Sequence, residues 1–176
     1  MKILIALLLI FTTLSAFADS VTEYAYVTAS ARGKYYFKMV PTRNSKQGLG
    51  TLFEVNPNGE DKVIWKTEGW YSFAVYISEN GEYLVRINVL PHGHELSDDH
   101  LAIAFYKKGE LINSYSTKNL VKNPSAINRS IGSYKWLEKK IFAPYANRLV
   151  IVTVDNIKYV FNVSNGSIVS QKRLEP

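Results

Sequence analysis

All three histidines of this chain fall in one short stretch, Pro91-His92-Gly93-His94-Glu95-Leu96-Ser97-Asp98-Asp99-His100, together with three carboxylates. His92 and His94 stand two apart, so in an extended segment both imidazoles can point the same way and chelate one ion. Imidazole combined with carboxylate suits zinc, copper, nickel or iron. The candidate ligands are therefore His92, His94 and His100 with Asp98 and Asp99, and the cofactor they would take is a divalent transition metal. A metal-assisted hydrolase would need about three protein ligands and an open position for water. The loop can supply ligands, but it offers no evident general base, and the spacing is not His-Glu-x-x-His. The plain alternative is a solvated polar connection, made flexible by Gly93.

A second candidate is aromatic. Trp65, Trp70 and Tyr71 are followed by Phe73 and Tyr76. Rings with polar tips make platforms for sugars or peptides. Trp65, Phe73 and Val75 read as the core side of strands. Trp70 follows Gly69 in a turn, so Trp70 and Tyr71 are the expected exposed binding pair.

Catalytic groups are not visible. No Gly-x-Ser-x-Gly elbow is present. The histidines lie in one loop, so a Ser/His/Asp set would have to be assembled from distant parts. Glu60-Asp61 and Asp98-Asp99 are neighbours in turns or loops, and sequence neighbours there rarely face each other across a cleft as two carboxylates flanking a sugar bond must. Gly48-Leu49-Gly50 is only a fragment of a phosphate-cradling loop. No catalytic residue is assigned.

The N-terminus carries a leader. Lys2 is followed by the apolar run Ile3 to Phe11 and by Ala16-Phe17-Ala18. A positive start, a short apolar core and small residues at a cleavage site make a secretory signal. The run is shorter than the ~20 residues a membrane span needs. Cleavage after Ala18 would leave Asp19 first, and the protein is expected to be exported, periplasmic or secreted, and not membrane-spanning after cleavage. The absence of cysteine rules out disulfides and Cys-ligated metal. Formal charge is +6, and the basic residues are dispersed. A nucleic-acid footprint would be a dense basic stripe or a known motif, and none is seen.

Organisation comes from a repeat. Thr51-Leu-Phe-Glu-Val-Asn-Pro-Asn-Gly59, Leu101-Ala-Ile-Ala-Phe-Tyr-Lys-Lys-Gly109 and Lys158-Tyr-Val-Phe-Asn-Val-Ser-Asn-Gly166 share one phrasing. Each is a short strand ending in a glycine turn and leading to a second strand: Lys62 to Thr67, Leu111 to Ser116, Ser167 to Leu174. Upstream of each lies another hairpin. Tyr24 to Ser30 pairs with Lys34 to Val40, Tyr71 to Ser78 with Glu82 to Val89, and Lys140 to Ala143 with Arg148 to Val154. Lys118 to Lys122 can form one helical turn capped by Ser116 or Thr117. Tyr134 to Lys140 is ambiguous between helix and strand, and Asn123 to Ser133 reads as a polar connection.

The chain thus divides into a leader, 1–18, and one all-β domain, 19–176. The domain holds three four-stranded antiparallel modules near 23–67, 71–116 and 136–174. Four strands in each ~40–50 residues resembles the blade of a β-propeller. The resemblance is to the superfamily broadly and implies no activity. A closed ring has roughly 4–8 blades, so three modules would form an open stack or close by self-association; the alternative is a β-sandwich. The histidine stretch then lies between the second and third strands of module two, where module three has only Asp155-Asn156. Insertions on one face of a repeat are a usual place for function. The expectation is a non-enzymatic binding or interaction module of the cell envelope, with an envelope protein or polymer as partner. The other readings are the metal protein above and a structural subunit of an envelope assembly.

Overall fold

The computed structural model describes residues 22–42 and 47–175. The leader expected at 1–18 lies outside them. Three four-stranded antiparallel sheets follow one another along the chain. The first is β1 (Tyr26–Ala29), β2 (Tyr35–Pro41), β3 (Gly48–Glu54) and β4 (Lys62–Glu68). The second is β5 (Val75–Ile77), β6 (Tyr83–Ile87), β7 (Leu101–Lys107) and β8 (Glu110–Ser116). The third is β11 (Leu137–Ala143), β12 (Arg148–Thr153), β13 (Ile157–Asn162) and β14 (Ile168–Arg173). Within each sheet the strand order is the chain order. These are propeller-blade-like modules; the sheets are simple meanders, without the crossovers of a sandwich. Between the second and third blades lie α1 (Thr117–Leu120) and a small hairpin, β9 (Asn128–Ser130) with β10 (Ser133–Lys135). The ambiguous Tyr134 to Lys140 is therefore strand on both sides of Trp136.

The turns follow the residues that make them. Ser30 and Ser78 each accept a backbone bond at the start of a tight turn, from Gly33 and Gly81, and each hydroxyl also takes the N–H of the returning strand, Tyr35 or Tyr83. Gly33 and Gly81 have φ of 71° and 69°, a region that costs little only for glycine. Asn147, at φ 48°, does the same work in the third blade, where asparagine tolerates the left-handed region.

A feature recurs in all three outer strands. Val63-Ile64, Leu111-Ile112 and Ile168-Val169 are adjacent apolar pairs just after the outer turn. In each blade the pairing register slips there, so Ile64, Ile112 and Val169 have no partner across the strand. Strict alternation would send one member of each pair inward. The bulge leaves all six between 37% and 58% exposed and bends the edge, which discourages pairing with another chain.

Blade faces make two cores. One joins Phe37, Met39, Leu52 and Trp65 of the first blade to Val75, Ile77, Leu84 and Tyr106 of the second. The other joins Val85, Ile87, Ile103 and Phe105 of the second blade to Leu149, Ile151, Tyr159 and Phe161 of the third. The middle blade is thus covered on both sides. Hydrogen bonds link blades at the turn end as well: Trp65 Nε1 donates to Gly81 O at 2.8 Å, and the Tyr115 hydroxyl donates to Gly166 O at 2.9 Å. The inner strands of all three blades meet around a depression of about 250 Å³ that includes Thr28, Tyr76 and Lys140.

Candidate functional site

A meander puts its first and third turns at one end of the sheet. The middle connection and the blade-to-blade linkers lie at the other end. The long connection 88–100 and the insertion 117–136 therefore share one end, and they pack on each other.

Most contacts between them are backbone or structural. Gly93 N–H donates to Gly132 O at 2.9 Å, and Tyr134 N–H to Pro91 O at 3.3 Å. His92 pairs with Ser133 in an isolated antiparallel bridge. Arg129 Nε donates to His94 O at 2.9 Å. Trp136 is fully buried and its indole N–H donates to Asn88 O at 2.7 Å. A polar chain runs beneath the loop: His100 Nδ1 lies 2.9 Å from the Tyr134 hydroxyl, which lies 2.6 Å from Thr117 Oγ1. Burial raises the Tyr134 phenol above its usual range.

The insertion is anchored from the third blade. The Asp155 carboxylate accepts from the backbone N–H groups of Lys122 and Asn123 at 2.7 and 3.0 Å, and from Thr153 Oγ1 at 2.5 Å. The Tyr159 hydroxyl donates to Leu120 O at 2.6 Å. Burial foremost, and then the Asp155 charge, push this phenol up to about 12. The short helix has the expected Ser116 cap, in a reciprocal box with Asn119.

The five proposed metal ligands do not converge. His100 is turned toward Tyr134, with Gly93 against its ring. His92 and His94 are exposed and held by their backbones. Asp98 is drawn to Lys118 at 2.8 Å, which lowers its carboxyl below the usual range and raises the lysine. Asp99 is exposed, and its backbone N–H donates to Ser97 Oγ. Among the described residues no group of three or more His, Cys, Asp or Glu is arranged to hold a metal ion. The physical reason is the backbone: the loop curves to satisfy the hairpin, not a central ion.

The aromatic pair is also corrected. Trp70 and Tyr71 are 7% and 6% exposed. Trp70 lies between Phe37 and Tyr106, its indole N–H donates to Thr67 Oγ1, and the Arg86 guanidinium sits 4.8 Å above its ring. The Tyr71 hydroxyl donates to Tyr24 O at 2.9 Å. Both side chains seal the joint between the first and second blades, so neither presents an open platform. Phe73, read as core, is instead 43% exposed and packs edge-on against Tyr71.

What the loop end does offer is a groove of about 460 Å³. Leu96, Val121 and Ile127 give it apolar walls, and Lys118, Lys122 and Arg129 ring it, against Glu95. Lys118 is paired with Asp98; Lys122 Nζ donates to Asn119 O and Arg129 Nε to His94 O, and among the described residues neither makes an ion pair. Sequence reading passed over this groove. Its signal was the recurrence of Lys118, Lys122 and Arg129 in an insertion that only the second blade carries.

No protein-family model matches this chain, and no curated protein matches it. Among solved structures it is similar to the Dos1 propeller, at a TM-score of 0.49 and 10% identity over 89% of this chain and 35% of that one. The C-terminal WD40 domain of Sif2 aligns at 0.37 and 14% identity, over 81% of this chain and 34% of that one. Sqt1 of Saccharomyces cerevisiae aligns at 0.35 and 10% identity, over 89% of this chain and 53% of that one. The chain therefore spans between about a third and a half of the length of these structures. Its own three four-stranded meanders, each in chain order, are propeller-blade-like.

Proposed function

We propose that this protein is an exported, non-enzymatic binding module of the cell envelope, with the groove between the two insertions as its working surface. The observation that carries the reading is the pairing of apolar walls with Lys122 and Arg129 at the one end of the fan where both insertions lie. Such a groove suits a small anionic group carried on an apolar body. Export rests on the leader expected at 1–18.

Two experiments test it. Expression with the leader, followed by N-terminal sequencing of the extracytoplasmic protein, should return Asp19; full-length protein retained in the cytoplasm would remove the envelope from the proposal. Calorimetric titration with dodecyl phosphate should show saturable binding that weakens at least tenfold in Lys122→Ala/Arg129→Ala. Equal binding by both proteins would remove the groove.

A further inference from the structure

The third blade packs one face on the second blade, and among the described residues no other strand packs on its opposite face. Strand registers define the open face. Lys139, Val152, Lys158 and Lys172 form one row across all four strands, and Ile141, Val150, Val160 and Ser170 form the next. Ala143, Arg148 and Asn162 form a third. No acidic residue occupies any of these positions. Lys139, Lys158 and Lys172 are exposed, and among the described residues their ammonium groups make no ion pair or side-chain hydrogen bond.

Lys158 and Lys172 are directly opposed cross-strand neighbours. Like charges in that position destabilise a sheet. The face therefore bears a local electrostatic cost that no ion pair among the described residues offsets.

A second copy of this chain is a poor occupant. Ring closure would bring this face onto the open face of the first blade, where Lys38 and Lys66 lie in one row with Val27 and Thr51. That contact would bring Lys139, Lys158 and Lys172 against Lys38 and Lys66, and like-charge juxtaposition opposes association.

We propose that the open face of the third blade binds a linear polyanion of the polyphosphate type, lying across the strands along Lys139, Lys158 and Lys172. Strands are about 4.8 Å apart, so the row spans about 14 Å, enough for several consecutive phosphates. Lysine meets phosphate as a point charge and needs no fixed fork geometry, which suits a flexible chain. The Ile141, Val150 and Val160 row flanks the track and supports the lysine stems. This site is separate from the groove and does not depend on it.

The test uses the full-length protein and fluorescently labelled long-chain inorganic polyphosphate, read by anisotropy over a range of salt. With three lysines on a single chain, log K should fall with log salt at a slope of about −2. Lys139→Gln/Lys158→Gln/Lys172→Gln should weaken binding at least tenfold and bring the slope near zero, with thermal stability equal to or above that of the parent. Lys38→Gln/Lys66→Gln on the first blade should bind like the parent. Equal weakening by both variants would mean that overall charge alone attracts the polymer, and would overturn the site. Binding to phosphatidylglycerol vesicles in place of polyphosphate would overturn it too. If the triple variant is less stable, Lys172→Glu alone decides, by losing binding or keeping it.

Discussion

His100 Nδ1 lies 2.9 Å from the hydroxyl of Tyr134, a residue from a different insertion, and this one bond turns the histidine away from any shared metal site. The same hydroxyl contacts Thr117 Oγ1 at 2.6 Å. Tyr134→Phe removes both bonds and leaves Thr117, which is fully buried, short of a partner. The expected cost is about 1–3 kcal/mol, read from the midpoint of urea unfolding. A change within experimental error would show that the chain does not hold the loop.

Metal binding is expected to be weak and nonspecific. His92 and His94 are exposed, and among the described residues no three His, Cys, Asp or Glu side chains are grouped to hold an ion. Titration with zinc, copper or nickel should give the same curve for the parent and for His92→Ala/His94→Ala. Sub-micromolar binding lost in the variant would reverse this reading. The same substitution should change stability by less than about 0.5 kcal/mol, as at an ordinary surface.

Trp70 is packed in the joint between the first and second blades. Trp70→Ala empties the space between Phe37 and Tyr106 and leaves the Arg86 guanidinium without its ring. A loss of about 3–5 kcal/mol is expected, measured by denaturant unfolding. A fully folded, equally stable variant would mean that the indole is not packed in this joint.

Close packing at Gly50 makes a sharper probe of the first blade. A Cβ there would run into the Phe37 ring and the Thr67 methyl. Gly50→Ala should cost about 1–3 kcal/mol through overpacking. Gly59→Ala, in the outer turn where the Cβ meets only the Asn56 side chain at 3.4 Å, should cost much less.

Alkaline pH should unfold the protein through its buried phenols. Tyr159 is raised to about 12 from 10.0 by burial and by Asp155, and Tyr26 is raised further, by burial first. The unfolded state releases these protons near pH 10 while the folded state keeps them. The stability they contribute is full below pH 10 and declines as pH rises from there through the folded values. Thermal melts from pH 8 to 11.5 should show this fall. Tyr159→Phe should be less stable at pH 8, having lost the bond to Leu120 O, and should fall less steeply with pH.

The sequence by itself determined the local layout. Alternating β-branched and aromatic residues set the strands, and Gly33, Gly81 and Gly109 set turns whose φ few other residues accept. Ser116 capped the short helix α1 as its type predicts. These are interactions among near neighbours, so the residues concerned stand together in the chain. Tertiary structure decided which faces are covered. Trp70 after a glycine turn looks exposed until Arg86, Phe37 and Tyr106 close over it. The histidines look like a chelating cluster until Tyr134 and Ser133, distant in sequence, claim His100 and His92. Period-two alternation gives a strand two faces but does not say which one a neighbouring blade will bury. That choice depends on long-range packing, and it made the core of the second blade, the groove between the insertions and the open lysine row of the third.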